Sequence, residues 1–343
     1  MSGRAYLDWN ATAPLRPEAR AAIAAALDLV GNPSSVHAEG RAARMLVERA
    51  RADLAAVVGC KPGEVVFTSG ATEAAGVLAG FADVTVEPTA HDCLVAHGRG
   101  AGGILALGLA NSETGVLSEM PAARPGVLVD VVQAVGRVPF AFGWSGADMA
   151  ILSAHKLGGP KGVGALIVRE GVEIASLRLG GGQEMGRRSG TENVAGIAGF
   201  AAAAVAAGRE LEAGAWARVA ALRDRMEALL SAEGAIIAGA GLARLPNTSC
   251  LVSPGWKGET QVMQMDLAGF AVSAGSACSS GKVRRSRVLT AMGFDDVAAA
   301  SAIRVSLGVG TKDEDVMRFA EVWAEAHRKF RARGSQELRV AAY

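Results

Sequence analysis

The chain has 343 residues, half of them hydrophobic, with 44 glycines, 5% aromatics and a formal net charge of +1. That length suits one large and one smaller domain with a sizeable core, and the near-neutral charge offers no global field for nucleic acid or an anionic membrane. Four cysteines, Cys60, Cys93, Cys250 and Cys278, with no C-x-x-C pair, argue against a disulfide framework and against a zinc site.

The longest apolar run, residues 194–208, is shorter than the roughly 20 residues a membrane span needs and reads as a buried helix. The first residues carry no signal-peptide core, so the expected setting is the reduced cytoplasm.

Residues 5–8 suggest a short strand and 9–14 a turn. Pro17 stands in the first turn of an Ala-rich helix that ends before Gly31. After the loop Asn32-Pro33-Ser34-Ser35, a second helix puts Met45, Leu46, Ala50, Leu54 and Val57 on one face, with Gly59 closing it. Residues 64–68 form a β-branched, aromatic strand that runs into Ser69-Gly70-Ala71-Thr72-Glu73 and a further Ala-rich helix. A strand, a tight turn and a helix start together cradle an anion with backbone N–H groups and the helix dipole.

More strands are expected at 92–96, 104–110, 127–131, 147–152 and 163–168. The alternation predicts an α/β fold with a largely parallel sheet. Residues 193–232 read as helix with a break near Gly214. Beyond Pro246 the texture changes to a strand at 247–253, a helix at 261–268, an edge at 272–273 and a strand at 303–307. Thr311-Lys312-Asp313-Glu314 fits a capping box that opens a terminal helix. The expected division is a large domain over 14–245 and a smaller α+β domain built from 1–13 and 246–343. Residues 98–103 fit G-x-G-x-x-G, but a strand pattern follows instead of a helix, so no dinucleotide site is expected.

The chemistry centres on Ser153-Ala154-His155-Lys156, between an apolar strand and the glycine-rich run 157–162. A lysine pocketed at a strand end loses basicity and can form a Schiff base. Ser153 and His155 can face an anion. Asp130 ends the strand Val127-Leu128-Val129, and Gln133 follows it. Ligands of open α/β sheets sit at such strand ends, although a helix N-cap is an equal reading of Asp130. His91 can stack on a ring and shuttle protons, or it is a loop histidine.

Cys278 lies in the small, polar stretch 273–281, ahead of Lys282, Arg284, Arg285 and Arg287. Nearby cations favour the thiolate, which suits a nucleophile or carrier, while an incidental loop thiol is the competing reading. Arg304 stands in the apolar strand Ala302-Ile303-Arg304-Val305-Ser306-Leu307. Buried arginine needs a partner: a substrate carboxylate or an internal ion pair.

Taken together, Tyr6-Leu7-Asp8-Trp9-Asn10-Ala11-Thr12, Thr68-Ser69-Gly70-Ala71-Thr72-Glu73, Val129-Asp130-Val131-Val132-Gln133, residues 153–162, Arg188-Ser189-Gly190-Thr191, Gly275-Ser276-Ala277-Cys278 and residues 303–308 resemble the cysteine desulfurases of iron–sulfur cluster assembly and nitrogen fixation. The resemblance runs in order from about residue 5 to 325. It implies a fold-type I, class V aminotransferase architecture, a homodimer and pyridoxal 5'-phosphate.

By motif, Lys156 would carry the cofactor, Asp130 would pair with its pyridine nitrogen, Gln133 would hold its phenolic oxygen and His91 would stack on its ring. Ala71, Thr72, Ser153 and His155 would hold the phosphate, with Thr191 coming from the partner subunit. Arg304 and Asn10 would bind L-cysteine, and Cys278 would take its sulfur as a persulfide for an acceptor or iron–sulfur scaffold, an acidic one being suited to the basic run. Ser112 stands where such enzymes usually have a second Asn, so Asn111 or Ser112 itself must serve that contact. The stretch from His91 to Asp130 lacks a usual strand–helix crossover. A selenocysteine lyase or cysteine sulfinate desulfinase-like enzyme, and a non-catalytic scaffold binding the same cofactor, are the alternatives.

Overall fold

The computed structural model describes residues 3–121, 126–275 and 285–340. Cys278, Lys282 and Arg284 lie outside them. In chain order the elements are β1 (Ala5–Tyr6), α1 (Pro17–Leu27), α2 (Ala38–Val58), β2 (Val65–Thr68), α3 (Ala71–Ala75), β3 (Val84–Val86), α4 (Asp92–Val95), β4 (Ile104–Gly108), β5 (Val127–Asp130), β6 (Met149–Ser153), β7 (Gly164–Val168), α5 (Val194–Glu212), α6 (Ala215–Ala232), β8 (Ile236–Ile237), β9 (Thr248–Val252), α7 (Gly258–Leu267), β10 (Phe270–Ala271), β11 (Ser273–Ala274), α8 (Arg287–Ala291), α9 (Asp296–Ala299), β12 (Ala302–Ser306) and α10 (Asp313–Val340).

Two compact units divide the chain. The larger comprises Thr12–Asn111 and Leu117–Gly214, and the other takes the N-terminal residues to Ala11, Ser112–Val116 and the chain from Ala215 onward. The cut at Gly214 differs from the expected boundary near 245. Helix α6 packs on α10, β8 and β9, so it travels with the C-terminal strands.

The larger unit is built on a six-stranded sheet in the order β2-β7-β6-β5-β4-β3. Strands β3 to β6 pair in parallel, and β7 runs antiparallel to both neighbours. Strands β2, β6 and β7 are buried along their whole length, which is why they read as continuous apolar runs and not as alternating ones. The core gathers Val66, Leu78, Leu94, Leu128, Met149, Ile151 and Leu166.

Helix α5 lies against α1 and α2. A Cβ at Gly199 would sit 2.6 Å from Ile23 Cγ1, so the small residues of α5 permit the approach of α1. Among the described residues α5 is the one helix long and apolar enough to cross a membrane, and half of that stretch is buried within the protein.

One local expectation fails, and one strand was not anticipated. Residues 92–96 form the short helix α4 and not a strand, with His91 as its N-cap accepting from the Cys93 N–H at 3.2 Å. A four-residue apolar run carries no period to separate the two, and the cap decides it. The three-residue strand β3, Val84–Val86, is paired to β4 with too little sequence to announce it.

In the second unit, β11-β12-β9-β8 form an antiparallel sheet, and β1 pairs in parallel with β10. Trp256 and Trp323 pack at 5.4 Å between ring centroids, fixing α10 by its apolar face.

Candidate active site

The larger unit collects most of the expected residues at one end of its sheet. Strands β5 and β6 are parallel neighbours, with Asp130 in register with Ile151, so Asp130 and Ser153 end adjacent strands at the same edge. After Ser153 the chain makes a single three-ten turn, Ala154–Lys156. Leu157 then leads into Gly158, whose φ of 83° and contact with Pro14 O (2.9 Å to a built Cβ) admit only glycine comfortably. Arg16 braces this turn by donating to Leu157 O at 2.6 Å while its guanidinium is held by Glu210.

The Asp130 carboxylate accepts the Val132 N–H at 2.9 Å in an Asx turn; a turn and not a helix follows it, so it is not a helix N-cap. Burial pushes its carboxyl up. The Val132 bond, and after it the influence of His91 and Lys156, pull it back. His155 is driven down to about 4 by burial, then by Lys156 and Lys161, so it is neutral at pH 7. Its Nδ1 lies 3.2 Å from Thr12 Oγ1. Gln133 is 5% exposed.

The strand, turn and helix start expected of an anion cradle are present. Strand β2 turns through Ser69 and Gly70 into α3 at Ala71. Glu73 accepts the Ser69 N–H at 2.6 Å and Arg188 Nε at 3.1 Å. A Cβ at Gly164 would fall 2.6 Å from Gly70 Cα, so β7 meets the turn backbone to backbone. Thr72 is exposed at the cradle, as are His91 at the start of α4 and Thr191 in the segment before α5. Asn111 donates from Nδ2 to Thr89 O at 2.9 Å, which ties the end of the β4 segment to the His91 loop.

A residue that sequence reasoning passed over holds the Thr191 segment. Glu184 is 5% exposed and sits at φ 50°, in the left-handed region. It receives Arg51 at 2.8 and 3.0 Å and the Phe67 N–H at 2.8 Å. An acidic residue in the glycine-rich run 180–186 was its available signal.

Arg304 and Asn10 belong to the second unit. Arg304 is 6% exposed on β12. It donates to Asp8 Oδ1 at 2.7 Å and to Ser112 O at 3.1 Å. The internal ion pair is therefore real, yet the buried Nε has no hydrogen-bond partner. A guanidinium fixed by two acceptors, with an unpartnered Nε, suits a carboxylate ligand.

Asn10, 1% exposed, spends its amide within the fold: Nδ2 donates to Ser112 O at 3.2 Å and Thr248 Oγ1 at 2.9 Å, and Oδ1 accepts from Asn247 at 3.1 Å. Ser112 thus contributes its carbonyl, a group the missing Asn side chain does not alter. Burial and Glu113 push the Cys250 thiol up, and burial drives Cys60 to about 12, so neither is a nucleophile at pH 7.

These residues fit pyridoxal 5'-phosphate by their chemistry. A raised, half-buried carboxylate at a strand end, a lysine and an imidazole within its field, and a backbone turn opening a helix are the groups that cofactor needs.

The aminotransferase class-V family profile matches residues 5–98 and 100–319. A cysteine desulfurase of Cereibacter sphaeroides is 40% identical, spanning 93% of this chain and 94% of its own length. The IscS-like cysteine desulfurase of Mycobacterium tuberculosis is 36% identical over 93% of this chain and 95% of its own. Among solved structures, a NifS-like protein superposes with a TM-score of 0.85 at 30% identity, covering 94% of this chain and 99% of the other. The NifS-like protein of Rickettsia africae gives the same TM-score at 29% identity, with the same coverage.

Proposed function

The chain belongs to the aminotransferase class-V family, and to the cysteine desulfurases within it, and from that premise we propose how its own residues divide the work. The fold is fold-type I, and the enzyme takes sulfur from L-cysteine and passes it on. The observation that carries the residue-level reading is that Asp130 and Ser153 end adjacent parallel strands, with Lys156 one three-ten turn beyond Ser153.

Pyridoxal 5'-phosphate, when bound, supplies the electron sink for charge left on the substrate Cα. Lys156 would hold it, and its Nζ would move the Cα proton. Asp130 would pair with its pyridine nitrogen, His91 would stack against it and Gln133 would donate to its phenolic oxygen. Ala71, Thr72, Ser153 and His155 would hold the phosphate, with Thr191 reaching the site of the other subunit of a homodimer. Neutral His155 suits this task, because it donates one N–H without adding a competing cation beside Lys156.

Arg304 binds the substrate carboxylate through its Nε edge. Asn10 acts indirectly, by fixing the Ser112 carbonyl that steadies Arg304. The Cys278 thiolate attacks the substrate sulfur: an S–S bond forms as the Cβ–S bond breaks, and the departing carbon takes a proton to become alanine. The outer sulfur of the persulfide is then passed to an acceptor nucleophile as the S–S bond breaks and the Cys278 thiolate is regenerated, the acceptor being an acidic iron–sulfur scaffold in the cytoplasm.

Purified protein given pyridoxal phosphate should turn yellow and release alanine from L-cysteine in step with sulfide under added thiol. Lys156→Ala should lose the colour and the activity, and Cys278→Ala should keep the colour and lose desulfuration. Full activity in Cys278→Ala would point instead to a selenocysteine or cysteine sulfinate enzyme. A colourless wild type would overturn the reading.

A further inference from the structure

Arg137 stands four residues beyond Gln133, directly after Gly136. Gly136 turns the chain at φ 74°, and a Cβ there would press on Ala207 Cβ at 2.8 Å. The turn brings Arg137 inward, where it is 4% exposed. Its Nη1 donates to Gln133 O at 3.4 Å and to Gln133 Oε1, and its Nη2 donates to Lys156 O at 3.2 Å. One buried guanidinium therefore touches both Gln133 and the backbone of Lys156.

The chemistry of the pair removes an ambiguity. A side-chain amide presents an acceptor at one end and two donors at the other, and the two ends have nearly the same shape. A guanidinium has five donors and no acceptor, so the atom that meets it must be the oxygen. Nε2 then points away from Arg137. A guanidinium hydrogen bond is charge-assisted and stronger than a neutral one, so rotation of the amide is costly.

We infer that Arg137 is a positioning residue that commits Gln133 to act as a donor and anchors the carbonyl of the lysine that carries the cofactor. This rests on the functional reading above, in which Gln133 meets the phenolic oxygen. With Arg137 in place, that oxygen meets N–H and never a carbonyl. A donor there stabilises the ionised oxygen, so the bound cofactor gives up its proton at lower pH. Without Arg137 the amide can turn its oxygen to the cofactor, and the proton is held to higher pH.

The test uses the holoenzyme and follows the bound cofactor's absorption against pH, with no substrate present. Arg137→Met should move the midpoint upward by roughly half to one pH unit, the size of one lost hydrogen bond. Gln133→Ala should do the same, and the double variant should move it no further than either single one, because both remove one interaction. Arg137→Gln is neutral and can present either amide end, so it should give the same upward shift should Arg137→Met fail to fold. A midpoint unchanged in the folded, cofactor-loaded Arg137 variants, with Gln133→Ala shifted, overturns the role of Arg137 and leaves the enzyme reading standing. Failure of the wild type to bind the cofactor removes both.

Discussion

Arg304 meets two demands with one group. Its positive charge is compensated internally by Asp8, which also accepts from Ser273 Oγ at 2.7 Å, so burial on β12 does not leave it isolated. Its planar fork is held by Asp8 and the Ser112 carbonyl, while Nε stays without a partner. The geometry, more than the charge, is what a carboxylate would read. Arg304→Lys should therefore raise KM for L-cysteine about tenfold while kcat changes little, since the interaction is made equally in the ground and transition states. Steady-state kinetics on alanine release checks this, and an unchanged KM would remove Arg304 from substrate binding.

At the scale of elements, the segment between β7 and α5 has no regular structure long enough to hold itself. It is fastened to the elements around it: Glu73 of α3 takes Arg188, and Glu184 takes Arg51 of α2 and the Phe67 N–H of β2. The Glu184–Arg51 pair is buried on both sides, with side chains 1% and 6% exposed. Breaking such a pair strands a buried charge, which costs about 3–5 kcal/mol. Glu184→Ala should lower the unfolding free energy by that amount, read by circular dichroism as a lower denaturant midpoint with the slope unchanged.

This is also where the sequence falls silent. Lys156, Asp130 and Ser153 were legible because apolar strands ending in polar residues mark a sheet edge, and that edge is where they stand. Glu184 and Arg137 were not, because they act through other residues across the fold, and one chain shows no pairing. Strand β3 was too short to carry a period, and α4 was decided by its histidine cap. Helix α6 was read with the larger domain because no sequence pattern records that it packs on α10.

At the scale of the whole molecule, the proposed sulfur carrier Cys278 precedes a cationic run of sequence. Arg285 is paired with Asp296, both side chains more than half exposed, and an exposed pair contributes little to stability. Converting Lys282, Arg284 and Arg285 to Glu should therefore leave the fold and thiol-dependent alanine release intact and slow transfer to an acidic scaffold protein. Raised ionic strength should narrow the difference, since steering between exposed charges is screened. Equal transfer rates at low salt would exclude charge steering.

The partner of the first strand comes very late in the chain. Ala5 pairs with Phe270, and Asp8 accepts from Ser273, 265 residues away. During synthesis at about 5–20 residues per second, that N-terminal segment waits on the order of tens of seconds for its neighbours to leave the ribosome. An interrupted translation product would lack the surface on which Asp8 settles, and with it the counter-charge that lets Arg304 be buried. Arrival of β10 to β12 is thus built into the burial of Arg304.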